Sequence, residues 1–318
     1  MIGAVPPRVA VTLGVVYAVL MLASLIVQVL KRANPSKDYD DLSKRTTSWW
    51  VMITIFTIAV ILERTAAIVF LAFVSFLALK EYFSLIPTRR TDRRVIFWAY
   101  LAVPLQYFWV YDYWYGMFII FIPVWIFLFL PLRMITIGSP DGFLRAAGTL
   151  HWGLMITVFN LSHAAYLVSL PRFENPQAGS VGLLLFLVIL TQLNDVAQYV
   201  WGKSLGKRKI LPSVSPGKTW AGFLGGVATT TAASWGLAPY LTAIDGWHQA
   251  AAGTVIAIAG FVGDVTISAI KRDLGVKDTS SFIPGHGGIL DRVDSLTFSA
   301  PVFFHAVFYF YYGEILGT

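Results

Sequence analysis

The chain has 318 residues, of which 57% are hydrophobic and only 13% are charged, and its mean hydropathy is +0.68. This composition is far more apolar than that of a soluble domain and predicts a protein embedded in lipid. The formal charge of +7 comes with no motif of nucleic-acid recognition, so no nucleic-acid partner is expected. Because cysteine is absent, disulfides and cysteine-bound zinc are excluded, and oxygen-ligated ions such as Mg2+ become the default.

Ten apolar stretches are candidates for membrane-spanning helices, which need roughly 20 residues each. The second and third are separated by only a few residues around Glu63, so they form either two spans or one re-entrant hairpin. The sequence therefore predicts an all-α polytopic membrane protein with about ten helical segments. These lie at residues 9–30, 47–62, 65–85, 95–110, 114–132, 147–169, 181–201, 219–241, 248–270 and 296–314.

The distribution of Lys and Arg favours one orientation of this chain in the membrane. If the N-terminus lies outside, 20 of the 24 basic residues fall in cytoplasmic loops, Lys80 lies at the cytoplasmic end of its helix, and only Arg8, Arg64 and Arg172 fall outside. This asymmetry predicts an N-out, C-out protein of the cytoplasmic membrane. Residues 1–180 are expected to form N-terminal helices that can shape a lipid groove, and residues 181–318 to carry a site on the cytoplasmic side.

The first group of candidate site residues lies on the ninth predicted span. Asp264, Ser268 and Lys271 are spaced by four and three residues, so they share one face of a helix that points toward the cytoplasm. An ionisable residue within a span is costly and suggests function by default. The alternative is that Asp264 is only the buried partner of a structural cation.

Two further carboxylates, Asp291 and Asp294, open the last span at a spacing of three residues and are expected to converge on one point. Clustered carboxylates repel each other unless cations hold them together, which favours a divalent metal bound by Asp264, Asp291 and Asp294. Alternatively, the last pair only complements the positive end of its helix. The cations nearby in the sequence are Lys271, Arg272, Lys277 and Arg292.

A second polar cluster surrounds the end of the seventh span. Asp195 lies within that span, Lys203 follows it, and the run Ser215-Pro-Gly-Lys218-Thr219 comes shortly after. Asp195 is at a depth similar to that of Asp264, so the two helices can face one site. The run is similar in composition to a phosphate-binding loop but lacks its glycine spacing, and an ordinary basic loop is the alternative.

The segment 268–294 resembles the signature of the phosphatidate cytidylyltransferase family. It contains Ser268, Lys271-Arg272, Lys277-Asp278, Ile283-Pro284, His286-Gly287-Gly288 and Asp291-Arg292-Val293-Asp294 in the order of that signature. An upstream block, from Asp195 to Trp220, resembles the family less closely. There Gly217 precedes Lys218, where the family usually has lysine, and Ala221 occupies the place of an expected glutamate.

The resemblance implies a Mg2+-dependent enzyme, with a second cation possible, that converts CTP and phosphatidate, or another lipid phosphate, into a CDP-lipid and pyrophosphate. It also implies a homodimer. Asp264, Asp291 and Asp294 would bind metal and, with Lys271 and Arg272, form the catalytic group. The remaining residues would contact substrate: Asp195, Lys203, Ser215, Lys218, Thr219, Ser268, Lys277, Asp278, His286, Gly287, Gly288 and Arg292.

Two other functions fit the same residues. A CTP-dependent polyprenol or phytol kinase would use a similar site, but its acceptor is an alcohol and it would release CDP. A cation-coupled transporter would use Asp195 and Asp264 as an ion path within the membrane. The concentration of charge at one end of the spans favours an enzyme over a transporter.

Overall fold

The computed structural model describes residues 5–87, 89–170, 175 and 177–312, so Arg172 and the end of the last predicted span lie outside the described residues. The helices are α1 (Pro7–Ala33), α2 (Asp40–Leu62), α3 (Arg64–Leu85), α4 (Arg93–Tyr111), α5 (Tyr115–Ile120), α6 (Phe127–Ile135), α7 (Phe143–Leu154), α8 (Asn160–Leu167), α9 (Gly179–Leu205), α10 (Trp220–Leu241), α11 (His248–Asp273), α12 (Leu290–Val293) and α13 (Leu296–Val307). A 3-10 turn covers Arg90–Asp92, and π-helical turns cover Phe121–Ile126, Met155–Phe159 and Phe308–Tyr312.

A helical segment lies at each of the ten predicted positions, because the π-helical turns continue α5 into α6 and α7 into α8. Among the described residues, seven of these segments are long and apolar enough to cross a membrane. The prediction of an all-α integral membrane protein is therefore confirmed. The count of ten crossings, their orientation and the division at residue 180 stay predictions.

The second and third segments are separate helices. Between α2 and α3 only Glu63 leaves the helical conformation, with φ −163° and ψ 162°, and each helix is by itself long and apolar enough to cross a membrane. Many apolar side chains of α1 and α2 are exposed, as expected for surfaces that face lipid.

Helices α9, α10, α11 and α13 form a closely packed group in the C-terminal half. Asn194 on α9 is fully buried, donates to the carbonyl oxygen of Ala257 at 3.1 Å and accepts from the Thr230 hydroxyl at 3.4 Å. These bonds tie α9 to both of its neighbours. Hydrogen bonds of this kind satisfy polar groups where lipid offers no partner.

The connections that border the site are ordered by local hydrogen bonds. Strands β1 (Lys209–Leu211) and β2 (Ser215–Thr219) pair antiparallel, and Thr219 then caps α10 by accepting from the Gly222 amide at 3.1 Å. Helix α11 ends in a Schellman motif: the Val276 amide donates to the Lys271 carbonyl at 2.9 Å, and Gly275 adopts φ +70°. The chain can therefore turn sharply from α11 into the loop that follows.

Gly263 marks the closest approach of α11 to the last helical segment. A Cβ at Gly263 would lie 2.5 Å from the Asp294 carbonyl oxygen and 3.3 Å from the Ser295 Cα. We expect Gly263→Ala to separate the two backbones and to lower the free energy of unfolding by about 1–3 kcal/mol, the usual cost of overpacking. Thermal unfolding in detergent measures this.

Gly236→Ala on α10 is the matched control, because a Cβ there meets no atom within 4 Å. Alanine is a better helix former than glycine, so this control should be neutral or stabilised by up to about 1 kcal/mol. Equal unfolding temperatures for the two variants would contradict the close approach at Gly263.

Candidate active site

Three carboxylates from different helical elements converge in the C-terminal half. Asp195 lies on α9, Asp264 on α11 and Asp294 at the junction of α12 and α13, and each interacts electrostatically with the other two. The Ser295 hydroxyl donates to Asp195 at 3.1 Å, and the Ser295 amide donates to Asp294 at 2.7 Å. Because like charges repel, this carboxylate cluster (Asp195, Asp264 and Asp294) needs positive charge nearby.

Lys218 supplies one such charge from the end of strand β2. Its ammonium forms an ion pair with Asp264 and donates to the Gln198 side-chain oxygen at 3.0 Å. The Ser268 hydroxyl lies 3.4 Å from the other oxygen of Asp264, one helical turn further along α11. The β1–β2 hairpin and α11 therefore meet at Asp264, although their candidate residues form two separate clusters in the sequence.

Asp291 makes a different set of contacts from Asp294. One oxygen accepts from Lys271 at 2.7 Å, and the other accepts from the Thr279 amide, the Thr279 hydroxyl and the Gly288 amide at 2.8–3.0 Å. Asp291 is only 6% exposed, and these four donors match the lone-pair sites of a carboxylate. It thus fastens both ends of the signature loop, residues 279–288, to α11.

The glycines of the signature loop have structural tasks that the sequence did not reveal. Gly287 adopts φ +80°, a left-handed conformation that other residues rarely adopt, and its carbonyl accepts from the Ile283 amide at 2.8 Å. At Gly288, a Cβ would collide with Thr279 and with Glu81 of α3. The Gly288 amide is used by Asp291, so it is not free for a phosphate.

His286 and Arg292 lie near each other on the side of the loop that faces α2. The imidazole packs edge-on against Trp49, with ring centroids 5.8 Å apart. Burial, reinforced by Arg292, lowers the pKa of His286, so its neutral form predominates at neutral pH. Arg292 also interacts electrostatically with Asp195, and its buried Nε has no hydrogen-bond partner among the described residues. This guanidinium can therefore donate to a bound anion.

The other predicted site residues lie around this centre. Arg272 is exposed and donates to the Val214 carbonyl at 3.2 Å, which joins α11 to the hairpin. Lys277 and Asp278 are exposed in the loop after α11. Lys203 is exposed near the end of α9 with its ammonium 5.7 Å from the Tyr199 ring centroid. Ser215 begins β2 and, like Thr219, belongs to the hairpin that presents Lys218.

Glu81 is a site residue that the sequence analysis missed. It lies on α3, is 9% exposed, and accepts four hydrogen bonds from residues 279, 280, 289 and 290. The available signal was a carboxylate within an apolar span, the same rule that singled out Asp264. Ser48 of α2 also reaches the loop, donating to the Pro284 carbonyl at 2.8 Å. The N-terminal helices therefore help to build the site.

The carboxylate cluster suits a divalent cation in its donor chemistry. Carboxylate oxygens are the ligands that Mg2+ prefers, and among the described ion pairs only Asp264 of these three carboxylates is engaged, by Lys218. Asp195, Asp264 and Asp294 are the residues that would hold such an ion. Within the described part of the chain, no three acidic or histidine side chains already lie close enough together to bind one metal ion. Metal binding by Asp291 stays a prediction and would require it to give up present donors.

Comparison with known proteins identifies the family. The profile of the Cytidylyltransferase family matches residues 43–310. The chain belongs to this family. Membership makes it a nucleotidyltransferase and confirms the resemblance that the signature predicted.

Individual relatives agree with this assignment. The chain is 44% identical over 298 residues to the uncharacterized protein YnbB of Escherichia coli K12, an alignment that covers 94% of this chain and 98% of that protein. It is 40% identical over 134 residues to the phosphatidate cytidylyltransferase of Haemophilus influenzae, covering 41% and 46% of the two chains. With the Mycobacterium leprae phosphatidate cytidylyltransferase, identity is 35% over 167 residues, covering 52% and 51%. The chain thus aligns with about half the length of these two enzymes.

The ion pair between Lys271 and Asp291 gives an asymmetric prediction. After Lys271→Gln, Asp291 keeps three donors, so we expect a loss of about 1.5–3 kcal/mol, as for a hydrogen bond to a charged group. After Asp291→Asn, a buried Lys271 loses its counter-ion and the loop loses its anchor, which should cost about 3–5 kcal/mol. Unfolding temperatures in detergent test this order.

Lys277→Gln serves as the control, because Lys277 is exposed in the same loop and should change stability little. If Lys271→Gln proved as damaging as Asp291→Asn, the loop-anchoring role of Asp291 would be wrong.

Proposed function

We propose that this protein is a CTP:phosphatidate cytidylyltransferase, which transfers the cytidylyl group of CTP to a membrane lipid phosphate. With phosphatidate, the products are CDP-diacylglycerol and pyrophosphate. The observation that carries the proposal is the convergence of Asp195, Asp264 and Asp294 with Lys218 in a chain of the cytidylyltransferase family. Such a site combines the two signs of charge that a metal-bound triphosphate needs.

The proposed reaction does not require a strong general base. A phosphate monoester has a second pKa of about 6 and is largely a dianion at neutral pH. One of its oxygens attacks the α-phosphorus of CTP, and the bond to the bridging oxygen of the β-phosphate breaks, which releases pyrophosphate. Catalysis then consists mainly of alignment and neutralisation of charge.

The residues divide into those that hold the metal and those that meet the phosphates. Mg2+ bound by the carboxylate cluster would neutralise charge on the triphosphate. Arg292, whose Nε is unpartnered among the described residues, and the exposed Lys277 would contact phosphate oxygens. Lys218 would exchange part of its pairing with Asp264 for substrate. We assign Lys271 to the support of Asp291, because that pair is already formed.

The lipid acceptor is the less constrained half of the proposal. The two departures from the family, Gly217 and Ala221, lie on the hairpin and on the first turn of α10, beside Lys218. Substitutions here can alter which lipid phosphate approaches the site. Phosphatidate is the first candidate, because two relatives that this chain matches over about half their length are named phosphatidate cytidylyltransferases.

The proposal includes a membrane location and an oligomeric state for the enzyme. The excess of basic residues in one set of loops supports insertion in the cytoplasmic membrane with the site on the cytoplasmic side, where CTP is available. A homodimer, implied by the family resemblance, belongs to the proposal as well.

The activity is tested with purified protein in detergent, Mg2+, phosphatidate and CTP labelled at the α-phosphate. We expect label to appear in lipid together with release of pyrophosphate. Asp264→Asn should lower this transfer by a factor on the order of 100 or more, because it removes a charge from the carboxylate cluster. Asp245→Asn, in the loop before α11 and at the opposite end of that helix from Lys271, is the matched control and should retain activity.

Other outcomes separate the alternatives. In a parallel reaction with CTP labelled at the γ-phosphate and a polyprenol as acceptor, transfer of that label to lipid with release of CDP would indicate a lipid kinase. Full activity of Asp264→Asn would refute the assigned metal site. A panel of lipid phosphates assayed by pyrophosphate release identifies the acceptor, and no transfer to any of them would sink the proposed function.

Orientation is tested by labelling single cysteines in intact cells, since the chain has none of its own. Gly287 is unsuitable, because a Cβ there would lie 2.7 Å from an Asp291 oxygen. Phe282→Cys places the thiol in an exposed loop position that we expect to be cytoplasmic and unreactive to impermeant reagents. Asp112→Cys, in an exposed turn after α4, should react. The reverse pattern would overturn the topology.

A further inference from the structure

The Glu81 carboxylate joins two points of the signature region from a helix about 200 residues away in the sequence. Its Oε1 accepts from the Ser280 hydroxyl at 2.8 Å and from the Ile289 amide at 2.9 Å. Its Oε2 accepts from the Thr279 hydroxyl at 3.1 Å and from the Leu290 amide at 2.9 Å. One side chain thus bonds to the residues at both ends of the loop.

These contacts are specific to a carboxylate. Within the described residues no Lys, Arg or His lies within ion-pair distance of Glu81, so its charge is stabilised by hydrogen bonds. Three of its donors bind Glu81 alone, and the single proton of the Thr279 hydroxyl is shared with Asp291. Two of the donors are backbone amides just before and at the start of α12, which lack partners within the helix. A buried carboxylate is retained at a cost in desolvation, so an apolar residue would serve better if packing were its only task.

Glu81 is also linked to the charged centre through Thr279. The Thr279 hydroxyl lies within hydrogen-bond distance of both Glu81 and Asp291, at 3.1 and 2.9 Å, and Asp291 in turn binds Lys271. Gly288 leaves the space that this arrangement requires, since a Cβ there would strike both Thr279 and Glu81. A continuous path of polar contacts therefore runs from α3 to α11.

We infer that Glu81 is a positioning residue: it holds the signature loop and the start of α12 so that Arg292 and Asp294 face Asp195 and Asp264. The inference rests on the proposed function, because it concerns the same site. It assigns the N-terminal helices a task in catalysis that is separate from contact with lipid. Glu81 itself touches no reacting group.

The experiment compares Glu81→Gln with Glu63→Gln, the same substitution at the exposed residue before α3. Glutamine keeps the size of Glu81, but its side-chain NH2 group replaces one carboxylate oxygen. One of the two backbone N–H groups, of Ile289 or Leu290, therefore loses its acceptor. We expect hydrogen exchange across residues 279–290 to rise at least about tenfold, as for one lost bond to a charged group. We expect kcat to fall on the order of 10- to 100-fold, with little change in KM for CTP. Glu63→Gln should change neither.

Glu81→Asp and Ser280→Ala keep the test decisive if Glu81→Gln folds poorly. Aspartate retains the charge but is one methylene shorter, so it should fail to restore kcat. Ser280→Ala removes a single donor and should shift exchange and kcat in the same direction by a smaller factor. Exchange or kcat equal to that of Glu63→Gln in all three variants would overturn the inference, as would faster exchange without loss of kcat.

Hydrogen exchange needs no substrate, so the two proposals fail separately. If the wild-type protein transfers no cytidylyl group, the proposed function is wrong while the exchange data still report on the loop. If the wild-type protein is active and the Glu81 variants match their control, only the positioning role is wrong.

Discussion

The burial of charge among apolar helices is the constraint on which the rest of this structure depends. A charge removed from water costs several kcal/mol unless it is paired or hydrogen-bonded. The described residues meet this cost with the ion pairs Lys218–Asp264 and Lys271–Asp291 and with the four donors around Glu81. In the carboxylate cluster, Lys218 pairs with Asp264, and Ser295 donates to both Asp195 and Asp294. The proposed site would use these carboxylates for a cation and the nearby Lys and Arg side chains for a polyphosphate.

The two halves of the chain contribute different things to the site. The C-terminal helices supply the charged groups, and α2 and α3 hold the loop that presents some of them, through Ser48 and Glu81. A loop rich in glycine has high conformational entropy when free, so contacts at both of its ends are needed to give it one conformation. The N-terminal half is therefore part of the structure that holds the signature loop.

Family membership and the chemistry of the site agree about the nucleotide more closely than about the lipid. Carboxylates beside cations are suited to a metal-bound triphosphate, whichever lipid phosphate attacks it. The two departures from the family pattern, Gly217 and Ala221, lie close to Lys218 in the sequence. Recognition of an acyl chain is apolar and non-directional, so it leaves no compact motif in a sequence.

Hydropathy, motif order and helical spacing are local properties of a chain, so they were enough to predict the helical membrane architecture, the family and the face of α11 that carries Asp264, Ser268 and Lys271. The separate partners of Asp291 and Asp294 could be known only from the folded chain, because Asp291 is bound by Lys271 and Thr279 from other segments, whereas Asp294 accepts from the adjacent Ser295. The contacts of Glu81 likewise depend on tertiary packing. Its partners lie about 200 residues away, and no periodicity along a chain encodes which distant donors a buried carboxylate will meet when the helices pack.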